Sequence, residues 1–188
     1  MIDALHVGLG EGSPRLEPLA ERHREGLRRA CAEDSEIWAI YPTSWAPDRF
    51  DASFDALIGN PSRCPFAILD DEALVGMTAY INPDTTRRVV EIGNSYIAPA
   101  SRGTGLNGRL KRLMIGHAFA CGFRRLEFRV DTRNARSMAA VVKIGGMLEG
   151  IMRQERITWT GYIRDTALFA ILAEEWSTSF SAGSARPA

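Results

Sequence analysis

Residues 89–122 read VVEIGNSYIAPASRGTGLNGRLKRLMIGHAFACG and carry the strongest structural pattern of the chain. The segment Val89–Ile97 is rich in β-forming residues and is closed by Pro99, which predicts a strand. Residues 104–121 have apolar side chains at intervals of three and four, which predicts a helix: Leu106, Leu110, Leu113, Met114, Ala118 and Cys121. Gly122 stands where a glycine commonly ends a helix.

The loop between them, Arg102-Gly103-Thr104-Gly105-Leu106-Asn107-Gly108, has the composition of an anion site. Its glycines leave room for an anion beside the backbone, and the first helical turn offers unpaired N–H groups and the positive end of the helix dipole. Arg102 adds a full charge that can bind phosphate oxygens. The alternative is a tight turn that uses glycine for its backbone freedom. A P-loop is excluded because no Gly-Lys followed by Ser or Thr is present.

Upstream of this unit, the pattern predicts a strand, two helices and a hairpin. The strand covers residues 15–19, the helices cover 20–32 and 47–58, and the hairpin pairs 66–69 with 74–81. Pro47 is expected in the first turn of the second helix. Asn82-Pro83-Asp84 predicts the turn after the hairpin.

Downstream, residues 125–130 alternate as a strand, and a helix is predicted from Asn134 to the glycine pair at 145–146. Residues 151–159 and 164–172 predict a last hairpin. The strands before and after the long helix are joined by a single crossover, so they are expected to be parallel. The whole pattern predicts an α+β fold, with a mixed, mostly antiparallel sheet flanked by helices on both faces (an α/β/α sandwich).

The composition of the chain excludes several classes of protein. Lys and Arg total 23, as do Asp and Glu, so the basic excess typical of nucleic-acid-binding proteins is missing and no nucleic acid is expected as a partner. No secretory signal or membrane-spanning stretch is visible, and three separated cysteines favour reduced thiols, so a cytoplasmic protein without a membrane partner is expected. The histidines are isolated from other ligand types, and no metal site is predicted. A single domain is expected over residues 1–176, followed by a flexible tail over 177–188.

Arg102-x-x-Gly105-x-Asn107 resembles the Gln/Arg-x-x-Gly-x-Gly/Ala signature of the GCN5-related N-acetyltransferase (GNAT) family, with Asn107 in place of Gly or Ala. Asn134-Ala135-Arg136-Ser137 and Lys143-Ile144-Gly145-Gly146-Met147 resemble the Asn-x-x-Ser…Lys-x-Gly-Phe segment of the branch that includes the RimJ/RimL ribosomal-protein acetyltransferases, with Met147 in place of Phe. The likeness spans about residues 65–176.

The resemblance implies a GNAT-type sheet with one parallel pair that splays apart, so that the pantetheine of coenzyme A lies beside the strand end Tyr96-Ile97-Ala98. The loop from Arg102 to Gly108 would bind the pyrophosphate. Asn134 would contact pantetheine, Ser137 would give a proton to the leaving thiolate, and Lys143 would reach the 3′-phosphate. The residues themselves leave alternatives open: a helix N-cap for Asn134, and solvated positions for Ser137 and Lys143.

On the acceptor side, Glu91 is the candidate base for the amine, with its pKa raised if it is buried. The alternative is a structural carboxylate that pairs with an arginine. Trp38, Tyr41 and Trp45 fall in the segment that covers the acceptor in the family, and their alternative role is core packing. Arg164 and Asp165 are expected to form a structural ion pair.

These observations predict an N-acetyltransferase that moves the acetyl group of acetyl-CoA to a primary amine by direct attack. The amine would be a protein N-terminal α-amine or that of a small molecule. The alternative is a non-catalytic acetyl-CoA-binding module that serves as a sensor or scaffold. A homodimer is the common default for the assembly.

Overall fold

The computed structural model describes residues 2–176 of the chain. Its strands are β1 (Arg15–Pro18), β2 (Arg63–Asp70), β3 (Ala73–Asp84), β4 (Val89–Ile97), β5 (Arg125–Asp131), β6 (Met147–Ile157) and β7 (Ile163–Leu172). Its α-helices are α1 (Ile2–Leu5), α2 (Arg24–Ala32), α3 (Phe50–Ile58), α4 (Leu106–Ala120) and α5 (Ala135–Lys143). Short 3₁₀ helices cover Glu21–His23, Ile37–Ile40 and Pro99–Ser101. The predicted tail, 177–188, lies outside the described residues.

The strands form one seven-stranded sheet in the order β1-β2-β3-β4-β5-β7-β6. Every neighbouring pair is antiparallel except β4 and β5, which are parallel. This confirms the predicted mixed sheet with one parallel pair. The parallel pair arises because α4 carries the chain back along the sheet, as a crossover must.

Alternating strand residues supply one apolar core to each face of the sheet. On one face, Phe66, Tyr80 and Leu126 are buried with α4 and α5. On the other face, Ala67 and Met77 are buried with α2, α3 and the Ile37–Ile40 segment. Burying a large apolar side chain contributes about 1.5–3 kcal/mol, so both helical layers are held mainly by this packing. Helices on both faces are therefore confirmed.

The buried stripe of α4 differs from the prediction. Leu113 is 36% exposed, whereas Lys111, which the apolar spacing omits, is only 6% exposed. The reason is chemical: Lys111 finds hydroxyl partners on the sheet, so its burial does not require an apolar side chain.

Two further local predictions were wrong. Asn82-Pro83-Asp84 is not a turn but the end of β3, where Asn82 takes a φ of 47° beside a register irregularity. Pro47 precedes its helix, because α3 begins only at Phe50. Before β1, the structure also contains α1 and a bridge between Leu9 and Leu16.

Candidate active site

The candidate site lies where β4 and β5 diverge. The two strands pair only from Val89 opposite Arg125 to Glu91 opposite Glu127, although β4 runs on to Ile97. A cavity of about 720 Å³ occupies this region, and its wall includes residues from both faces of the sheet. A gap between parallel strands exposes backbone groups that can pair with an extended ligand as an added strand would.

A bulge in β4 shapes the gap. The register between β3 and β4 shifts between Met77 and Ala79, so that Asn94 and Ser95 both lie opposite Thr78. Asn94 takes a φ of 50°, in the left-handed region that asparagine tolerates better than most residues. A bulge bends its strand and redirects the neighbouring side chains, and Asn94 and Ser95 here line the cavity.

The loop before α4 is open to a ligand. Gly103 and Gly105 have φ values of 77° and 82°, and a Cβ at either position would meet no atom within 4 Å. Within residues 2–176, the backbone N–H groups of Thr104, Gly105, Asn107 and Gly108 donate to no protein acceptor. These amides stand at the positive end of a 15-residue helix, so the loop fits a diphosphate group.

Arg102 ties this loop to the opposite helical layer. Its Nε donates to the carbonyl of Ile97 at 2.7 Å, and its Nη1 pairs with Asp34 Oδ2 at 2.6 Å. Its Nη2 is buried without a hydrogen-bond partner in the described part of the chain. Arg102 is therefore largely committed to protein contacts and keeps one unused donor group.

At the end of β4, Tyr96 and Ala98 are held by hydrogen bonds within the protein. Tyr96 is buried, and its hydroxyl donates to the carbonyl of Ala30 at 2.7 Å. The N–H of Ala98 donates to the carbonyl of Val75 at 2.8 Å. Of the three residues at this strand end, Ile97 is the one that lines the cavity.

The first turn of α5 faces the cavity from the α4 side. Asn134 is the N-cap residue, and its Oδ1 accepts a hydrogen bond from the N–H of Ser137 at 3.0 Å. The N-cap interpretation of Asn134 is thus confirmed, and its side chain also lines the cavity. Ser137 lines the same wall, and its hydroxyl makes no hydrogen bond to any residue in 2–176. Lys143 is exposed at the cavity edge.

Lys111 is a cavity residue that the sequence reasoning missed. Its Nζ donates to Ser95 Oγ at 2.6 Å and to Thr78 Oγ1 at 2.8 Å, and these two hydroxyls also lie 2.9 Å apart. No carboxylate in the described residues pairs with it, and burial lowers the pKa of Lys111 to about 7. The sequence contains one indication of this role, because Lys111 lies between the apolar residues Leu110 and Met114 of the long helix.

Glu91 lies on the floor of the cavity. Its Oε2 is 3.4 Å from the Nε of Arg129. Burial raises the pKa of Glu91, and the nearby guanidinium of Arg129 opposes that rise. Glu91 therefore forms an ion pair with an arginine, as the structural alternative predicts. It also lies in the cavity, as a catalytic base must.

The three predicted aromatic residues separate into wall and core. Tyr41 and Trp45 line the cavity, and the Tyr41 hydroxyl donates to the carbonyl of Ser95 at 2.6 Å. Trp38 is 1% exposed and packs against Tyr96 with ring centroids 4.7 Å apart. Trp38 is a core residue and not part of the wall, because its ring fills the space between the Ile37–Ile40 segment and the sheet.

The described part of the chain shows neither a metal-ligand cluster nor a membrane-spanning helix. Within residues 2–176, no group of three or more His, Cys, Asp or Glu side chains is placed to hold a metal ion. None of the helices in that range is long and apolar enough to span a bilayer. Cys31 and Cys64 are buried free thiols, and burial raises the pKa of Cys31 to about 12.

Comparison with known proteins identifies the class. Residues 33–145 match the family described as acetyltransferase (GNAT). No curated protein matches the sequence significantly. Since the family match covers more than half of the chain and the loop and strand gap are both present, the chain belongs to the GNAT family and is an acetyltransferase.

Solved structures share the fold. A GNAT-family protein from Chromobacterium violaceum is 28% identical, with a TM-score of 0.85 over 92% of this chain and 89% of that one. A GCN5-related N-acetyltransferase from Brucella melitensis is 25% identical, with a TM-score of 0.85 over 94% and 85%. RimJ of Mycobacterium smegmatis in complex with CoA-disulfide is 23% identical, with a TM-score of 0.80 over 96% of both chains.

Proposed function

We propose that the protein transfers the acetyl group of acetyl-CoA to a primary amine by direct attack, as a member of the RimJ/RimL-like branch. One observation carries the proposal: a single cavity connects the open loop, the gap between β4 and β5, and Ser137. The fold similarity to RimJ crystallised with CoA-disulfide supports coenzyme A as the carrier. When bound, acetyl-CoA supplies an activated thioester.

The residues on the α4 side suit binding of the carrier. The free amides of the loop are donors for phosphate oxygens. Arg112, Arg136 and Lys143 line the cavity and add positive charge beside the loop. Asn134 holds the first turn of α5, which places the Ser137 hydroxyl at the wall with its proton available to a thiolate.

The residues on the opposite side suit the acceptor. Tyr41, Trp45 and Glu91 line the cavity, and we propose that the aromatic pair contacts the amine and that Glu91 accepts the proton that the amine must lose. The raised pKa of Glu91 brings it closer to the range in which a carboxylate accepts protons near neutral pH. Positioning of the amine beside the gap would supply most of the acceleration.

The test combines binding with turnover. The full chain is titrated with coenzyme A by calorimetry, and thiol release from acetyl-CoA is followed with peptides bearing free N-termini and with small amines. We expect binding and amine-dependent thiol release. Binding without release on any amine would favour the sensor or scaffold alternative, and absence of binding would overturn both.

A further inference from the structure

Arginine side chains dominate the acceptor end of the cavity. Arg63 on β2, Arg129 on β5, Arg156 on β6 and Arg164 on β7 all line it, together with the carboxylate of Glu91. They belong to one face of the sheet, because residues directly opposite each other on neighbouring strands point to the same side. Arg63 is opposite Ile81, and Ile81 is opposite Glu91. Glu91 is opposite Glu127, which shares its side of β5 with Arg129. Arg129 is opposite Leu168, which shares its side of β7 with Arg164, and Arg164 is opposite Arg156.

This face is the one covered by Tyr41 and Trp45. On β2, Arg63 shares its side with Ala67, which is buried in the same core cluster as Trp45. The arginines therefore lie on the acceptor side of the strand gap and not beside the loop before α4.

Two of the four arginines have no carboxylate partner. Arg164 is 4% exposed, and its guanidinium donates to Thr166 Oγ1 at 2.9 Å and to the carbonyl of Arg129 at 3.4 Å. Arg63 is half-buried and donates to Asn94 Oδ1 at 3.2 Å. Neither guanidinium forms an ion pair with any residue in 2–176. Burial lowers the pKa of both groups, yet arginine keeps its charge in proteins.

The neighbouring carboxylates are already engaged. Glu127 pairs with Arg125 at 2.9 Å and with Arg129 at 3.1 Å. Asp131 pairs with Arg133 at 2.7 Å. Glu155 lies 3.6 Å from Arg156 Nη2 and accepts the hydroxyl of Thr166 at 3.0 Å. At the acceptor end, Arg63 and Arg164 thus lack a carboxylate in direct contact within residues 2–176, and only Glu91 and its neighbours attract them from a longer distance.

We propose that the acceptor is a small amine that also carries an oxyanion, a carboxylate or a phosphate, and that Arg63 and Arg164 bind this group. The inference rests on the proposed function, since it names the substrate class of the same site. A buried charge without a counter-ion is unfavourable, and an anionic ligand would supply the missing partner. The guanidinium group binds carboxylate and phosphate through paired hydrogen bonds. The same charge would repel a polyamine.

Matched pairs of amines test the inference. Phenylalanine is compared with phenethylamine, and O-phosphoethanolamine with ethanolamine, while spermidine serves as a polycation. Binding of each to the full chain saturated with coenzyme A is measured by calorimetry, and acetylation is measured by thiol release. We expect the anionic member of at least one pair to bind about tenfold or more tightly than its neutral partner. The pair that shows the preference identifies carboxylate or phosphate.

Arg63→Gln should remove that preference, whereas Arg22→Gln should retain it, because the Arg22 side chain is 64% exposed and lies outside the cavity wall. Arg63 is chosen because substitution of the more deeply buried Arg164 can unfold the protein, and thermal unfolding checks each variant. Equal affinity for both members of both pairs would overturn the inference, even if every amine were acetylated. Preferential binding without acetylation of any amine tested would support it and would favour the sensor or scaffold alternative over acetyl transfer.

Discussion

Ser137 faces the cavity with a hydroxyl that bonds to no described residue, which suits a proton donor for a thiolate. A thiol with a pKa near 8.5 is a fair leaving group, so the help of an acid is moderate. We expect Ser137→Ala to lower kcat about tenfold or more and to leave the Kd for coenzyme A within about twofold. Steady-state kinetics and calorimetry measure the two values, with the exposed Ser62→Ala as control. An unaltered kcat would remove the acid role.

Lys111 makes the stability of the protein depend on pH. The unfolded chain keeps the lysine proton up to its ordinary pKa of about 10.4, whereas the folded protein releases it above about 7. Between these values the unfolded state binds more protons, so folding stability rises with pH. Below pH 7, both states are protonated and the full cost of burying the charge is present.

Lys111→Met removes this charge at similar length. We expect the variant to gain stability over the wild type at pH 6, and the gain to shrink above pH 7 with a slope of up to about 1.4 kcal/mol per pH unit. Urea unfolding from pH 6 to pH 10 measures it, and Lys143→Met, an exposed lysine, serves as control. A difference that does not change across this range would contradict the buried, weakly basic state of Lys111.

Among the structural elements, the loop before α4 binds through its backbone. Gly105→Val would place a β-branched residue at a φ of 82°, which such residues strongly disfavour, and would crowd the free amides. We expect the affinity for coenzyme A to fall at least tenfold. Gly12→Val is the matched control, because Gly12 has a φ of 78°, meets no neighbour within 4 Å and lies outside the cavity wall. Equal affinity in the two variants would rule the loop out as the phosphate site.

At the scale of the whole molecule, the ion pair of Asp34 with Arg102 joins the acceptor-side helical layer to the loop before α4. The two side chains are 17% and 24% exposed, so the pair is largely shielded from water. We expect Asp34→Asn to destabilise the fold by about 1–3 kcal/mol, because the Arg102 charge is left unpaired. The affinity for coenzyme A should fall with it, since the loop loses an anchor.

Asp48→Asn is the control for this change. Asp48 pairs with Arg49 at 3.8 Å, and both side chains are more than half exposed, so little loss is expected. Chemical unfolding gives the stability and calorimetry gives the affinity. If Asp34→Asn and Asp48→Asn behave alike, the two layers are not coupled through this pair.

Local chemistry in the sequence was sufficient for most of the strands and helices and for the position of the loop. The strand Val89–Ile97 and the parallel crossover agree with the structure, because strand propensity, Pro99 and the spacing of apolar residues act over short distances. The open backbone of the loop could also be predicted locally, since it depends on the conformational freedom of Gly103 and Gly105 themselves.

The meeting of side chains across the sheet depends instead on strand order and register, which no local pattern contains. Arg63 and Arg164 are far apart in the sequence and line one cavity only because β2, β4, β5 and β7 lie in a defined order. The predicted ion pair of Arg164 with Asp165 is wrong for the same reason. Asp165 accepts the N–H of Gln154 at 2.7 Å instead. The charge of the acceptor end and the buried state of Lys111 were therefore decided by tertiary packing, since burial and partners come from residues that are distant along the chain.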